Sequence, residues 1–397
     1  AQGLAFVDVC RQRYDVILMN PPFGKVTPGS EKYIIKAYPQ TWNDIYAAFI
    51  ERDLSKLTSR GIIGCITSSM FMFSKQMLDL RKLFISNKSL SILIELGSGV
   101  LDNATVDTAL SIITRSNGNK STLFLDATLT EDKPLLLNHA IRHYQDWIEK
   151  KLTDFATLNN SPLCYFIPDD AINLWRNIEL RLEPDFGVVV AGNHTFDDER
   201  FLRLIYEIPE FEIFQKWFPY EKGGSYQPFV SPTHLVLNWG NEGKEVRQNQ
   251  INRYGTDAQV IQSIGWWFKP GLCFPRIGHA LGVRILPERS IFSEKGMSIF
   301  PNDIEMVYSL LSILNSTWYD YLASAFGKHR AFENSAIANL PINQELINNS
   351  ALEQIGRACV DIFLAYERGN EPSPYFTYPH SAISKTPYIA EENFLNS

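Results

Sequence analysis

The sequence predicts an α/β fold followed by a β-rich α+β region, on the strength of three patterns. Short apolar runs alternate with helix-length amphipathic segments over residues 14–114. After Pro184 the pattern changes to short apolar runs separated by Gly, Pro and Asn, and residues 305–326 and 352–366 return to helical spacing. We therefore expect one domain over residues 1–165, a second over 166–345, and a C-terminal helix with a loose tail over 346–397.

The first domain is expected to contain a parallel sheet. Strands are predicted at Tyr14–Met19, Ile62–Thr67, Leu90–Leu96 and Ala109–Thr114, with helices at Thr41–Leu57 and Ser74–Ser86. This alternation is typical of parallel α/β sheets, in which ligands bind at the carboxyl ends of the strands. The second domain is expected to be β-rich because its apolar runs are short, namely Gly187–Gly192, His234–Gly240, Trp266–Phe274 and Val283–Phe292.

Composition sets limits on function. The formal net charge is −7, so any nucleic-acid binding must use a local basic surface. The five cysteines are widely spaced and outside any CxxC or Cys/His pattern, which favours neither a disulfide framework nor a metal site and points to a reducing cytoplasm. No apolar stretch approaches the roughly 20 residues that cross a bilayer, so no membrane span is expected.

The most informative feature is the tetrapeptide Asn20-Pro21-Pro22-Phe23, which follows the first predicted strand. The adenine amine is a poor nucleophile because its lone pair is delocalised into the ring. Two rigid acceptors, the Asn20 side-chain oxygen and the Pro21 carbonyl, can localise that lone pair by accepting both amine hydrogens. Phe23 offers a flat surface for a base flipped out of a duplex. The alternative interpretation is a rigid turn without chemistry.

The stretch Tyr14–Gly24 resembles motif IV of the amino-methyltransferases that modify adenine N6. Several later segments resemble the type IIG restriction–modification enzymes and, best of all, the PglX enzymes of BREX phage defence: residues 42–49, 64–68, 95–100, 104–108, 192–201, 217–226, 266–276 and 314–316. The resemblance implies S-adenosylmethionine as methyl donor, with Asn20 and Pro21 beside it, and duplex DNA with a flipped adenine as substrate. It places residues 192–201 and 217–226 in a target-recognition region.

One departure from the family concerns the cofactor. In the family a glycine-rich turn, motif I, and an acidic residue for the ribose precede motif IV, but only about a dozen residues precede Asp15 here. The chain is therefore expected to be a truncated or split portion, whose partners include the missing N-terminal half or other defence-system subunits. Glu95–Gly99 (ELGSG) is either a permuted motif I or a local turn in which Thr105 and Thr108 form hydrogen bonds.

Candidate DNA contacts lie in the second domain. Lys222, Gly223 and Gly224 follow an aromatic run and precede Tyr226, and a flexible glycine pair lets backbone N–H groups approach a phosphate. Arg276 could reach a phosphate or a guanine edge, and Arg253 is a weaker candidate. The alternative is a surface turn with solvated charges, which is also how we interpret the cluster Lys328, His329 and Arg330.

Three functions follow from these patterns. The first is a DNA adenine N6-methyltransferase segment of a restriction–modification or phage-defence enzyme. The second is a DNA-recognition or partner-binding subunit without catalysis, which the missing motif I favours and the intact tetrapeptide opposes. The third is a protein glutamine methyltransferase, since related enzymes use the same tetrapeptide on side-chain amides. The long recognition-like second half argues against the third.

Overall fold

The computed structural model describes residues 11–101, 106–115, 121–158, 160–231, 233–324, 331–370 and 373–377. The chain divides between Asn177 and Ile178 into two units, called unit 1 (Ala1–Asn177) and unit 2 (Ile178–Ser397). The boundary predicted from the sequence lies after residue 165. The helix Asp169–Asn177 belongs to unit 1, where Trp175 is buried and Arg176 pairs with Asp154.

The described part of unit 1 contains a mixed six-stranded sheet with the order β1-β2-β4-β3-β5-β6. Its strands are β1 (Tyr14–Met19), β2 (Leu57–Ser68), β3 (Leu90–Gly97), β4 (Thr108–Thr114), β5 (Thr122–Asp126) and β6 (Ile148–Lys150). The helices are α1 (Pro28–Ala37), α2 (Ile45–Lys56), α3 (Leu78–Asn87), α4 (Lys133–Arg142), α5 (Leu152–Phe155) and α6 (Asp169–Asn177). The predicted α/β class is confirmed, and the predicted strands and helices form within a few residues of their expected bounds.

The expectation of a parallel sheet is wrong for β4, and β6, which was not predicted, is also antiparallel to its neighbour. β1 pairs parallel with β2, and β3 with β5, but β4 is antiparallel to both β2 and β3, and β6 is antiparallel to β5. Only residues 98–107 connect β3 to β4. A parallel crossover needs a dozen or more residues and usually a helix, so this short connection returns the chain antiparallel.

The two faces of this sheet differ in how well they are covered. Ile63 of β2 pairs with Ile113 of β4, and both are fully buried on the face where α2 packs against β2. On the opposite face, Val16 and Leu18 of β1 are 60% and 79% exposed. Because apolar side chains of a sheet are normally buried, this second face is an open apolar surface next to the end of β1.

Two antiparallel-rich sheets organise unit 2, with the orders β10-β13-β12-β15-β7 and β14-β9-β11-β8. The strands are β7 (Gly187–Val190), β8 (Leu202–Leu204), β9 (Trp217–Glu221), β10 (Phe229–Val230), β11 (Leu235–Asn238), β12 (Leu272–Pro275), β13 (Arg284–Ile285), β14 (Ile291–Phe292) and β15 (Gly296–Pro301). The helices are α7 (Asp198–Phe201), α8 (Gly240–Tyr254), α9 (Val307–Leu314), α10 (Thr317–Ser324), α11 (Asn334–Ala338), α12 (Gln344–Ile347) and α13 (Ser350–Glu367).

The core of unit 2 lies between its sheets and α8, and Trp239, Trp267 and Phe292 are among its buried members. The helix predicted for residues 305–326 is divided into α9 and α10. The Asn315 amide bonds both backbone groups of Val283, which ties the break to the sheet. Helix α13 packs against α9 and so belongs to unit 2.

Among the described residues, no helix is long and apolar enough to span a membrane.

Candidate functional site

The tetrapeptide Asn20–Phe23 forms an irregular turn directly after β1. Two consecutive prolines fix their own φ angles and cannot donate to a sheet, so the strand must end there. Asn20 and Pro22 are exposed, Pro21 is buried and Phe23 is half-buried. The Asn20 side chain is thus presented at the carboxyl end of a strand, on a turn with little conformational freedom.

Asp44 anchors this turn to the start of α2. Its two carboxylate oxygens accept a hydrogen bond from the Gly24 backbone N–H at 3.0 and 3.2 Å, and one of them also accepts from the Tyr46 N–H at 3.3 Å. The Ile45 N–H donates to the Gly24 carbonyl at 3.0 Å. The cap of a helix and the end of the tetrapeptide therefore share one carboxylate.

Tyr46 packs against Phe23. The two rings meet edge to face with centroids 5.9 Å apart, and Tyr46 is almost fully buried. Burial raises the pKa of Tyr46, so its hydroxyl stays neutral. Burial also raises the pKa of Asp44, while the N–H groups of Gly24, Tyr46 and Ile45 act to lower it. Packing against Tyr46 therefore holds the Phe23 ring in place.

A concave surface of about 430 Å³ lies beside Asn20 on the open face of the sheet. It is lined by Leu18, Met19, Asn20, Gly64, Cys65, Ile66, Leu110 and Ile112. Apart from Asn20 and Cys65 the lining is apolar or glycine. Such a surface can accept apolar or aromatic groups next to the Asn20 amide, but it offers no carboxylate for sugar hydroxyls.

The Glu95–Gly99 segment does not have the architecture of a cofactor-binding glycine turn. The described residues between Gly97 and β4 form no helix, and β4 is antiparallel to β3. Gly97 and Gly99 have positive φ angles of 71° and 74°, and the Thr108 hydroxyl donates to the Gly97 carbonyl at 3.1 Å. This favours the local-turn interpretation over permutation; Thr105 lies outside the described residues.

In unit 2 the predicted Lys222-Gly223-Gly224 loop follows β9, directly after a buried ion pair. Glu221 and Arg284 are 2% and 1% exposed at the side chain, and Arg284 Nη2 lies 2.8 Å from Glu221 Oε1. Arg284 also donates to the Gly223 carbonyl, and Glu221 accepts from the Gly223 N–H at 2.9 Å. The pair fixes both backbone groups of Gly223. Sequence analysis missed Arg284, although a lone charge inside the apolar run Val283–Leu286 could have signalled it.

All three predicted basic contacts are paired with carboxylates. Lys222 pairs with Asp198, Arg253 with Asp197 at 2.8 Å, and Arg276 with Glu333 at 2.8 Å. The partners of Lys222 and Arg253 are consecutive residues of one turn. Arg276 is close to the same loop, because its N–H donates to the Lys295 carbonyl and that carbonyl lies against Gly223. The three acidic partners had no signal in the sequence.

The other candidates are less well placed. Tyr226 is partly exposed, and its ring packs against His279 with centroids 4.8 Å apart. Burial raises the pKa of Tyr226. The cluster Lys328, His329 and Arg330 lies outside the described residues. No group of three or more His, Cys, Asp or Glu side chains within the described residues is arranged to hold a metal ion.

Comparison with known proteins first defines the class. Residues 3–100 match the family model described as Eco57I restriction-modification methylase. The matched segment contains β1 to β3, the Asn20–Phe23 turn and Asp44. The matched segment covers about a quarter of the chain and includes the Asn20–Phe23 turn and the start of the sheet.

Longer relatives extend the similarity over most of the chain. The chain is 24% identical over 370 residues to the adenine-specific methyltransferase BrxX of Escherichia coli O9:H4 strain HS, covering 89% of this chain and 29% of the relative. It is 23% identical over 370 residues to the adenine-specific methyltransferase PglX of Lacticaseibacillus casei strain Zhang, covering 84% and 30%. The resemblance to adenine methyltransferases of BREX and restriction–modification systems is confirmed, and the chain spans under a third of these relatives' length.

The fold also matches a solved structure. The Type IIL restriction-modification enzyme MmeI, in a structure with DNA, aligns with a TM-score of 0.58 and 13% identity over 95% of this chain and 53% of that one. At this identity the match shows a shared fold. It includes residues of both units, since it covers nearly the whole chain.

Proposed function

We propose that this chain is part of an S-adenosylmethionine-dependent DNA adenine N6-methyltransferase of a BREX or restriction–modification system, acting in the cytoplasm. The carrying observation is the Asn20–Phe23 turn, presented at the end of β1 and anchored by Asp44 within the segment that matches the methylase family. In this proposal unit 1 is the C-terminal half of a Rossmann-like catalytic domain. Unit 2 is the target-recognition domain that holds duplex DNA.

The chemistry assigned to unit 1 is hydrogen-bond acceptance. The Asn20 Oδ1 atom and the Pro21 carbonyl accept the two hydrogens of the adenine amine, so that the nitrogen lone pair becomes available as the nitrogen becomes tetrahedral. Phe23, supported by Tyr46, stacks on the flipped base. S-adenosylmethionine supplies the electrophilic methyl group. As the N–C bond forms, the bond between the methyl group and the sulfonium breaks and a neutral thioether leaves. The methylated nitrogen is then cationic and gives its extra proton to solvent, so catalysis rests on rigid acceptors already in place and no side chain of the turn needs to act as a base.

The fit to that cofactor is partial in the described residues. Asn20 and the apolar surface beside it suit the region around the reacting methyl group, but the lining lacks a carboxylate for the ribose. The strong exposure of Val16 and Leu18 on the same face supports a further polypeptide segment that covers it and completes the pocket. In the proposal this segment is the missing N-terminal half or another subunit of the defence system.

The proposal for unit 2 is that Lys222, Gly223, Gly224, Tyr226, Arg253 and Arg276 contact DNA. The relative MmeI was solved with DNA, and the chain shares its fold. Lys222 precedes the Gly223–Gly224 loop, and Lys222 and Arg253 pair with the consecutive residues Asp198 and Asp197. Because the protein carries a net charge of −7, binding to a phosphate backbone depends on these cations exchanging their carboxylate partners for phosphates.

The test is methyl transfer by the intact natural polypeptide that contains this chain, with duplex DNA and a labelled methyl donor. The expected product is N6-methyladenine, identified after digestion to nucleosides. Asn20→Ala should lower the rate at least about a hundredfold, since removing one preorganised hydrogen-bonding group at a reacting centre costs that much, and should leave DNA affinity nearly unchanged. Asn173→Ala, the same chemical change on the exposed surface of α6, is the matched control.

Three outcomes would contradict the proposal. Full activity of Asn20→Ala would remove the acceptor mechanism. Label on protein glutamine rather than on adenine would show a protein methyltransferase. DNA binding without transfer in the intact polypeptide would show a recognition subunit. A calorimetric titration of this chain alone with S-adenosylmethionine separates a pocket that needs a further segment, which predicts no measurable binding, from a pocket complete in these residues.

A further inference from the structure

The turn Asn193–Asp198 of unit 2 is held rigidly at its base although its tip faces solvent. Asn193 is fully buried and its side-chain oxygen accepts a hydrogen bond from the Tyr220 hydroxyl at 2.9 Å. The His194 N–H donates to the Gln259 carbonyl at 3.1 Å, and the Asn193 N–H to the Phe292 carbonyl at 3.0 Å. These bonds tie the turn to β9, to the segment after α8 and to β14.

Phe196 occupies the tip in an unfavourable backbone conformation. Its φ angle is +58°, a region that bulky side chains rarely adopt. The half-exposed ring lies between two others, 4.0 Å from His194 and 4.9 Å from Tyr254, and Tyr254 is 57% exposed. A left-handed residue held by its surroundings is a recurrent property of binding sites. We call these three rings the aromatic stack.

Two cations flank the aromatic stack, each held by an acidic residue of the same turn. Arg253 Nη2 lies 2.8 Å from Asp197 Oδ2, and Arg253 Nη1 donates to the Phe196 carbonyl at 3.4 Å. Lys222 pairs with Asp198, whose other oxygen accepts from the Thr195 hydroxyl. Burial acts to raise the pKa of Asp198, but Lys222 and Thr195 lower it on balance, so the Asp198 carboxylate is charged at neutral pH.

We propose, on the basis of the function proposed above, that this turn is itself a duplex-DNA contact surface. Phosphates displace Asp197 and Asp198 from Arg253 and Lys222, and the aromatic stack lies against the sugars and bases between them. Arg253 is suited to a phosphate because its guanidinium offers parallel N–H groups in a fixed fork. The carboxylates keep both cations extended and at a set spacing before DNA arrives.

The carboxylates also act against unspecific binding. Lys222 and Arg253 are balanced by Asp198 and Asp197, and Glu294 beside His194 adds a further negative charge, so a phosphate gains little from approaching the turn in a poor register. Only a register that places phosphates on both cations while the rings make contact replaces the lost ion pairs. Asp197 and Asp198 are therefore proposed to weaken non-specific affinity, which is dominated by phosphate contacts.

The first experiment measures binding of this chain to a labelled 30-base-pair duplex by fluorescence anisotropy at several salt concentrations. Asp197→Asn and Asp198→Asn should each tighten binding and steepen the slope of log K against log salt by about 0.9, one counterion site per freed cation. At 0.1 M salt this slope corresponds to a gain of up to about eightfold. Asp257→Asn is the matched control, because Asp257 pairs with Arg247 at 2.7 Å and the charge change is identical.

The second experiment removes the central ring. Phe196→Gly keeps the positive φ angle accessible and deletes the side chain, so the backbone turn is preserved. Loss of one ring packed against the duplex is expected to weaken binding by about twofold to fivefold, the range of a single aromatic contact. Phe211→Gly, which removes a highly exposed ring elsewhere in unit 2, is the control. Thermal unfolding of every variant confirms that the turn variants are folded.

The outcomes separate this inference from the function on which it rests. If the unaltered chain does not bind any duplex, the DNA-reading function of unit 2 fails. If the unaltered chain binds, but the aspartate variants change affinity no more than Asp257→Asn and Phe196→Gly matches Phe211→Gly, the turn is not the contact surface. If the aspartate variants bound an acidic protein more tightly than DNA, the assignment to duplex DNA would also be overturned.

Discussion

The buried pair of Glu221 and Arg284 allows a quantitative test of what holds the Gly223–Gly224 loop. Glu221→Gln keeps the size of the side chain but removes its charge. Burial acts to lower the pKa of Arg284, yet Glu221 raises it on balance, so the guanidinium stays charged. The variant therefore leaves a cation unpaired at a site that is 1% exposed. Breaking a buried pair from one side costs about 3–5 kcal/mol.

The surroundings of Glu221 show what a glutamine would retain. The second oxygen of Glu221 accepts from the Ser231 hydroxyl at 2.5 Å and the Thr233 hydroxyl at 2.8 Å. A glutamine amide can keep its oxygen towards Arg284 and donate its N–H groups to these two hydroxyls, which accept as well as donate. The loss therefore comes from the missing negative charge beside the buried guanidinium rather than from broken hydrogen bonds.

Hydrogen-exchange mass spectrometry of β9 and β13 is the assay, since it reports local stability within one unit of a larger chain. A loss of 3–5 kcal/mol lowers amide protection by about a hundredfold to several thousandfold. Glu353→Gln breaks the exposed Arg357 pair, 2.8 Å apart on α13, and should lower protection less than about fivefold. A fall of less than tenfold for Glu221→Gln would refute the reasoning.

Two further predictions concern the Asn20–Phe23 turn and the thiols. Asp44→Ala should destabilise the start of α2 by about 2 kcal/mol, because a helix cap and a bond to Gly24 are lost together, and hydrogen exchange of residues 45–50 measures it. Asp44→Asn, which keeps an acceptor oxygen, should lose less than half as much; equal losses would show that the acceptor is unimportant. Burial raises the pKa of Cys359, so in a Cys10→Ser background its maleimide labelling should be slower at pH 7 than that of a free thiol and should still be increasing above pH 9. Fully buried Cys273 should remain unlabelled until unit 2 unfolds, and native labelling there would contradict the described core.

The sequence predicted those parts of the fold that depend on local pattern. β1, α2 and β3 follow from apolar periodicity, and the turn after β1 follows from the two prolines. The direction of β4 depends on the short connection of residues 98–107 rather than on a local pattern of apolar residues. The division of unit 2 into two sheets depended on pairings between short strands, which residue composition does not encode.

The site was predictable to a similar degree. The tetrapeptide is contiguous, and its chemistry can be inferred from four residues. The ion pairs of Lys222, Arg253 and Arg284 join residues 24, 56 and 63 positions apart, respectively. Such distant pairing depends on how strands β9 and β13 and helix α8 are arranged in space. That is why Lys222 and Arg253 were predicted as free contacts and Arg284 was not predicted, whereas the structure shows all three paired with carboxylates.

The position of β4 has a consequence for the synthesis of the protein on the ribosome. β2 and β3 are made first, yet they are not neighbours, because β4 lies between them and is made last. At about 5–20 residues per second, the 17 residues from the end of β3 to the end of β4 take roughly 1–3 s to translate. During that interval one edge of β2 and one edge of β3 lack the partner strand that later pairs with both. Chaperones that bind unpaired strands therefore have a defined window in which to act on this chain.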